Sequence, residues 1–257
     1  MIKNPQARPG HLTEVKIALN FYYTKQNLLT ALQRQWIKFL KTANKSDAPI
    51  CVALSGGRAA PQLFDSLAAI TLEAIAKKQI TAEVIKKLHF FWADERCVPP
   101  NSPESNYNIA NLHLLQPLKI KHTQVHRIKG ELQPQEAARL AIEDFLYLSA
   151  KKNNTAFDLI ILGMGEDGHI ASLFPDEPED VVKSDLVYRP VVASKPPPNR
   201  ITLGYQPIIT AKHLWTVITG NNKTDAFQKS LPPQFSTPLG RILKSRKSTL
   251  IFYYPDY

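Results

Sequence analysis

Asp167 and His169 stand two residues apart in FDLIILGMGEDGHIASLFP, Phe157 to Pro175, where an apolar run meets a glycine-rich turn. An imidazole ordinarily titrates at about pH 6.5, so it can take and return a proton near neutrality. A carboxylate beside it can orient the ring and stabilise its charged form. Three further segments point to the gripping of an anion. Ser55-Gly56-Gly57-Arg58 follows an apolar run and opens a helix, so its backbone N–H groups are free to face a negative charge. Asp94-Glu95-Arg96 puts three charges directly after LHFFWA, and the planar fork of Arg96 suits a phosphate or carboxylate. Lys195-Pro-Pro-Pro-Asn-Arg200 holds two cations on a stiff loop, which lowers the ordering cost of a contact. Each segment also fits a plainer role: a strand-to-helix turn, a surface ion pair at a strand end, an exposed loop with solvated cations.

The elements that must position these groups can be read from apolar spacing. Leu159 to Leu162 is a short continuous apolar run, the pattern of a central strand covered on both faces. Gly163, Gly165 and Gly168 allow positive φ and close backbone approach, which presents Asp167 and His169 at the strand end. Ligands of open parallel sheets sit at that edge. The same glycines spell G-x-G-x-x-G, but a dinucleotide fingerprint needs a long crossover helix after its third glycine. Pro175 follows seven residues after Gly168, and Asp176 to Asp180 form an acidic, proline-broken loop, so a nicotinamide or flavin site is not expected. His122 and His126 are four apart with no third ligand, so no zinc site is expected either.

Strand-like and helix-like segments alternate along the chain, predicting an α/β fold: a doubly wound, mostly parallel sheet flanked by helices on both faces. Strands are expected at Glu14 to Leu19, from Pro49 through PICVAL, and at Leu88 to Trp92, Phe157 to Leu162, Val187 to Val192, Arg200 to Leu203, Leu214 to Ile218 and Thr249 to Tyr253. Helical spacing joins Leu28, Leu29, Leu32, Trp36, Ile37 and Leu40; Leu63, Leu67 and Ile70; and Ala137, Leu140, Ala141, Phe145 and Leu148. Ser105 or Asn106 can cap a helix.

The 257 residues, 44% of them apolar, can bury a core, and residues 1–257 are read as one domain. MIKNPQARPG lacks an apolar leader region and no segment reaches bilayer length, so a soluble cytoplasmic protein is expected, with no membrane partner. Two cysteines, Cys51 and Cys97, are too few for a disulfide framework, and Cys51 reads as a core residue. The formal charge of +10 suits an anionic partner. Its lysines, in KKQITAEVIKK, KIKHTQVHRIKG and KSRK, are scattered as on solvated faces, and no nucleic-acid motif accompanies them, so no nucleic-acid partner is expected. The 20 prolines gather in loops such as VPPNSP, SKPPPN and SLPPQF and stiffen them.

LSGGR, WADERCVPPNSPESNY, LGMGEDGHIASLFP and KPPPNRITL, in this order and over nearly the full chain, resemble the 6-phosphogluconolactonase family, whose fold is shared with glucosamine-6-phosphate deaminases. The resemblance implies hydrolysis of 6-phospho-D-glucono-1,5-lactone to 6-phosphogluconate, the second step of the oxidative pentose phosphate pathway, with no cofactor and no metal. It implies His169 as base and Asp167 as its support, backbone N–H groups of the Gly163 to Gly168 turn as oxyanion donors, and a phosphate and substrate site at Ser55, Gly56, Gly57, Arg58, Asp94, Arg96, Gly165, Lys195 and Arg200. The partner is then a small phosphosugar lactone, and the assembly a monomer or weak homo-oligomer. Two departures stand out: Arg58-Ala59-Ala60 replaces the hydroxyl residues common in the family, and RITL ends in Gly204. The nearest rival is a glucosamine-6-phosphate deaminase or isomerase; Ser172-Leu173-Phe174-Pro175 and Arg96 argue against it, because those relatives carry a glutamate and a tyrosine in these places. A non-catalytic sugar-phosphate or nucleic-acid binder is the rival of a different class.

Overall fold

The computed structural model describes residues 16–255 other than 23, 46 and 153. The expectations for MIKNPQARPG and for a strand starting at Glu14 lie outside the described residues. Among the described residues ten strands are formed: β1 (Lys16–Phe21), β2 (Ile50–Leu54), β3 (Leu88–Trp92), β4 (Asp94–Arg96), β5 (Val125–His126), β6 (Leu159–Gly163), β7 (Tyr188–Val192), β8 (Asn199–Leu203), β9 (His213–Thr219) and β10 (Ser248–Tyr254). Seven of them make a sheet in the order β1-β10-β9-β6-β2-β3-β5, every neighbouring pair parallel. β2 is buried along its whole length and β6 over its first four residues, as continuous apolar runs require.

Helices cover both faces. Trp215, Ile161, Leu54 and Trp92 share one row across β9, β6, β2 and β3. Trp36 and Phe39 of the helix Lys25–Ala43 pack against Trp215 on that face. Phe91, next along β3, points the other way and meets Phe145 of the helix Pro134–Lys151 edge-on at 5.7 Å. Each large apolar side chain buried in this way stabilises the fold by about 1.5–3 kcal/mol. In the helix Pro134–Lys151, Ala137, Phe145 and Leu148 are buried as expected. Leu140 and Ala141 are only half-buried, and Ala138 and Ser149 take the inner places, because the stripe is rotated on the sheet.

From β2 the chain builds outward through β3 and β5; it then returns to β6 on the other side of β2 and builds outward through β9 and β10. The strand order therefore reverses between β2 and β6, and the connections leaving their C-terminal ends diverge into a crevice. Ser55 follows β2 and Met164 follows β6 at that crevice.

Two features depart from the sequence reading. Asp94-Glu95-Arg96 does not end in a loop but forms β4, the edge of a second, antiparallel sheet in the order β4-β8-β7. A three-residue strand has no periodicity to reveal it. The acidic loop from Asp176 to Asp180 runs into a short helix, Glu179–Val182, whose first-turn acids Glu179 and Asp180 suit a helix N-terminus.

Candidate active site

A cleft of about 260 Å³ opens at the reversal point. Ser55, Gly56, Gly57, Arg58, Asp94, Arg96, Gly165, His169, Lys195 and Arg200 all line it, so residues scattered over 146 positions converge on one surface. Asp167 stands behind the lining, against the imidazole.

His169 Nδ1 lies 2.5 Å from Asp167 Oδ1, and the His169 amide donates to the same oxygen at 3.2 Å. Burial alone would raise the Asp167 carboxyl, but the charge and hydrogen bonds of His169, with Lys195 nearby, hold it below the usual carboxylate range. An ionised Asp167 can only accept, so Nδ1 carries the proton of a neutral imidazole and Nε2 keeps its lone pair. Nε2 has no protein partner among the described residues. Phe174 packs on the ring at 5.2 Å and fixes its plane.

Of the three turn glycines, only Gly168 takes a positive φ, 84°. Gly165 serves a different need: a Cβ there would lie 2.1 Å from His169 Nδ1 and Cε1, so any side chain would displace the imidazole. The turn's amides are partly committed. Gly165 N–H donates to His169 O at 2.8 Å and Gly168 N–H to Gly165 O at 3.1 Å. The expected oxyanion donors thus narrow to the amides of Met164, Glu166 and Asp167, which the turn's own bonds do not use.

Opposite this turn, Ser55 N–H pairs with Ile161 O, while the helix Ala60–Ala76 starts with no side-chain cap and no acid in its first turn. Ala60 N–H is spent on Gly57 O at 3.0 Å and Pro61 has no N–H, so the amides left for an anion are those of the Gly56 to Ala59 turn. Gly56 is glycine because Asn106 needs its space: a Cβ would lie 1.8 Å from Asn106 Oδ1.

The three charges of β4 have three different fates. Asp94 is buried and accepts from Ser55 Oγ at 3.1 Å, Asn106 Nδ2 at 3.3 Å and Ser172 Oγ at 2.8 Å; it pairs with no cation. Glu95, expected in a surface ion pair, is buried instead. It accepts from the amides of Arg96, Asn106 and Tyr107 and from Ser105 Oγ, tying down the start of the helix Asn106–Ala110 that Ser105 caps. Burial pushes its carboxyl up to about 7, against those donors. Arg96 stands directly across from Arg200 on β8.

Two arginines opposed on adjacent strands repel, and Arg96 is balanced in part by Glu104, whose Oε2 lies 3.5 Å from its Nη1 and whose backbone O accepts from it at 2.7 Å. Burial first, and then the charge of Arg96, hold the Arg200 guanidinium below its usual range. Arg200 binds its own loop through Nε to Pro197 O at 3.0 Å and Nη2 to Lys195 O at 3.1 Å, so one guanidinium edge shapes the proline loop that carries Lys195. Lys195 is exposed and its ammonium has no hydrogen bond or ion pair among the described residues. Arg58, expected to grip the anion, is engaged with Glu166 at 2.8 Å, and Glu166 also accepts from Asn222 Nδ2 at 2.6 Å.

Sequence reasoning missed Lys223. It lines the cleft from the 3-10 turn Asn221–Lys223 after β9, half-buried, its ammonium without a hydrogen bond or ion pair among the described residues. The signal was present: LWTVITGNNK is a third apolar strand ending in glycine, and β9 neighbours β6 in the sheet.

Residues 23–251 match the family described as glucosamine-6-phosphate isomerases/6-phosphogluconolactonase, and the chain belongs to that family. A 6-phosphogluconolactonase of Treponema pallidum is 39% identical over 158 residues, 60% of this chain and 64% of that protein. One of Haemophilus influenzae is 37% identical over 185 residues, 70% of this chain and 73% of that protein. The solved 6-phosphogluconolactonase of Trypanosoma brucei superposes with a TM-score of 0.76 at 25% identity, covering 95% of this chain and 97% of its own. That of Thermotoga maritima, at 23% identity and a TM-score of 0.75 over 93% of this chain and 100% of its own, shares the fold. Among the described residues no helix is long and apolar enough to cross a membrane.

Proposed function

We propose that this chain is a 6-phosphogluconolactonase, hydrolysing 6-phospho-D-glucono-1,5-lactone in the oxidative pentose phosphate pathway of the cytoplasm, as one α/β domain. One observation carries the reading: an imidazole tied through Nδ1 to an ionised aspartate shares a cleft with two opposed arginines, Arg96 and Arg200. The phosphate sits among Arg96, Arg200, Lys195 and the Gly56 and Gly57 amides, with Arg58 and Lys223 at the rim. Held at that end, the lactone places C1 beside His169, and remote binding energy is converted into positioning.

His169 Nε2 takes a proton from water as its oxygen bonds to C1, and the unspent amides of the Gly163 to Gly168 turn receive the developing oxyanion. The C1–O5 bond then breaks, the imidazolium returns the proton to O5, and the new carboxylic acid ionises. Asp167 keeps the ring in the tautomer each step needs. Asp94 positions Ser55, Asn106 and Ser172 around the cleft floor.

The test is the rate of lactone loss above its spontaneous hydrolysis, with glucosamine 6-phosphate assayed for ammonia release in parallel. Accelerated lactone loss without ammonia is expected. Ammonia release without lactone acceleration would replace this reading with the deaminase one.

A further inference from the structure

A second cavity, of about 380 Å³, lies beside the candidate cleft where β9 and β10 end. Arg58, Ala59 and Lys223 line both, so the two share a wall. The rest of its lining is Lys25, Thr219, Gly220, Asn221, Asn222 and Tyr254. Three cations line this space and no acid does. The ammonium groups of Lys25 and Lys223 make no hydrogen bond or ion pair among the described residues. The nearby carboxylate, Glu166, lines the first cleft and is already held by Arg58 and Asn222. Burial, and then the charge of Arg58, hold the Lys223 ammonium below its usual range, against a smaller opposing pull from Glu166. Concave polar surface with unneutralised positive charge concentrates anions.

We propose that this cavity is an accessory anion subsite, and that a hexose bisphosphate binds across the shared wall with one phosphate in each cavity. Arg58 and Lys223 reach both spaces, so a ligand bridging them is neutralised at each end. A monophosphate fills only one. A hexose bisphosphate therefore occupies the candidate active cleft more tightly than the monophosphate of the same sugar and competes with the lactone. The inference rests on the first cleft being a phosphosugar site.

Isothermal titration of the full chain with fructose 1,6-bisphosphate and fructose 6-phosphate tests it. The bisphosphate is expected to bind about tenfold more tightly, the order of one added charge-assisted contact. Lys25→Ala, which touches only the second cavity, should abolish that advantage and leave fructose 6-phosphate affinity and lactone turnover unchanged. Lys25→Glu should make the bisphosphate the weaker ligand. Equal wild-type affinities, or an advantage that survives both substitutions, overturn the proposal while the cleft reading stands. If fructose 6-phosphate does not bind at all, the cleft reading fails and the proposal falls with it.

Discussion

At the start of β6, Asp158 is buried and accepts from Lys152 Nζ at 2.6 Å, Lys212 Nζ at 2.8 Å and the Cys51 amide at 2.8 Å. Burial would raise its carboxyl, but the two ammonium groups and that N–H hold it below the usual range. At the other end of the same strand, Arg96, held by Glu104 at 3.5 Å, confronts Arg200, and the ammonium groups of Lys195 and Lys223 have no hydrogen bond or ion pair among the described residues. One strand thus connects a charge cluster completed by the protein with one that a ligand would complete. The first is a clamp on β2 and β6. The second is held in place by its surroundings, the charge that the proposed phosphate would meet.

The largest effect expected is on the base. His169→Ala should lower kcat roughly 10³-fold, within the range of general-base contributions, with KM changed little; steady-state lactone kinetics measure this, and a wild-type kcat would remove His169 from the mechanism. Next comes the clamp. Asp158→Ala leaves Lys152, whose side chain is 3% exposed, without its counter-charge, and should cost about 3–5 kcal/mol in urea unfolding. The folded fraction should keep its KM. Arg96→Ala sharpens the contrast from the other side: it should weaken 6-phosphogluconate binding about tenfold, yet cost under about 1 kcal/mol of stability, because it also relieves the repulsion with Arg200. A stability loss as large as that of Asp158→Ala would make Arg96 structural.

The smallest effect concerns a third cluster, at the sheet edge. His89 Nδ1 is 2.8 Å from His126 Nε2, and His126 Nδ1 is 2.8 Å from Asp144 Oδ2. Burial, then the charge of His126, lower the His89 pKa to about 4. Between its ordinary value near 6.5 and 4 the unfolded chain binds the proton and the folded chain does not, so this group makes stability fall as pH falls through that window. Glu95, raised to about 7, acts with the opposite sign, its contribution falling as pH rises from 4.5 to 7. The comparison is therefore between wild type and His89→Leu: the denaturation midpoint at pH 4.5, taken relative to that at pH 7, should be higher in the variant. An identical pH dependence would refute the assignment.

Legibility followed the physics of each signal. β3 at Leu88–Trp92 and the buried run of β6 were plain because a strand covered on both faces must be continuously apolar. Asp167 and His169 were plain because their relation is local, two residues along one turn. The fate of Arg58 was hidden, since Glu166 lies 108 residues away. Lys223 was hidden too, because its value depends on β9 lying next to β6 rather than on its neighbours in sequence.

The chain alone determined its alternation of strands and helices, the glycine bend and the carboxylate–imidazole pair, because apolar period, turn chemistry and short separation act over a few residues. Only the tertiary structure decided that β2 and β6 lie side by side, that β4 pairs antiparallel with β8 and so opposes two arginines, and that Asp94 is solvated by hydroxyls and an amide rather than by a cation. Those outcomes depend on which strands become neighbours. That choice is made by burial and hydrogen bonding summed over the whole sheet, a quantity no single segment carries.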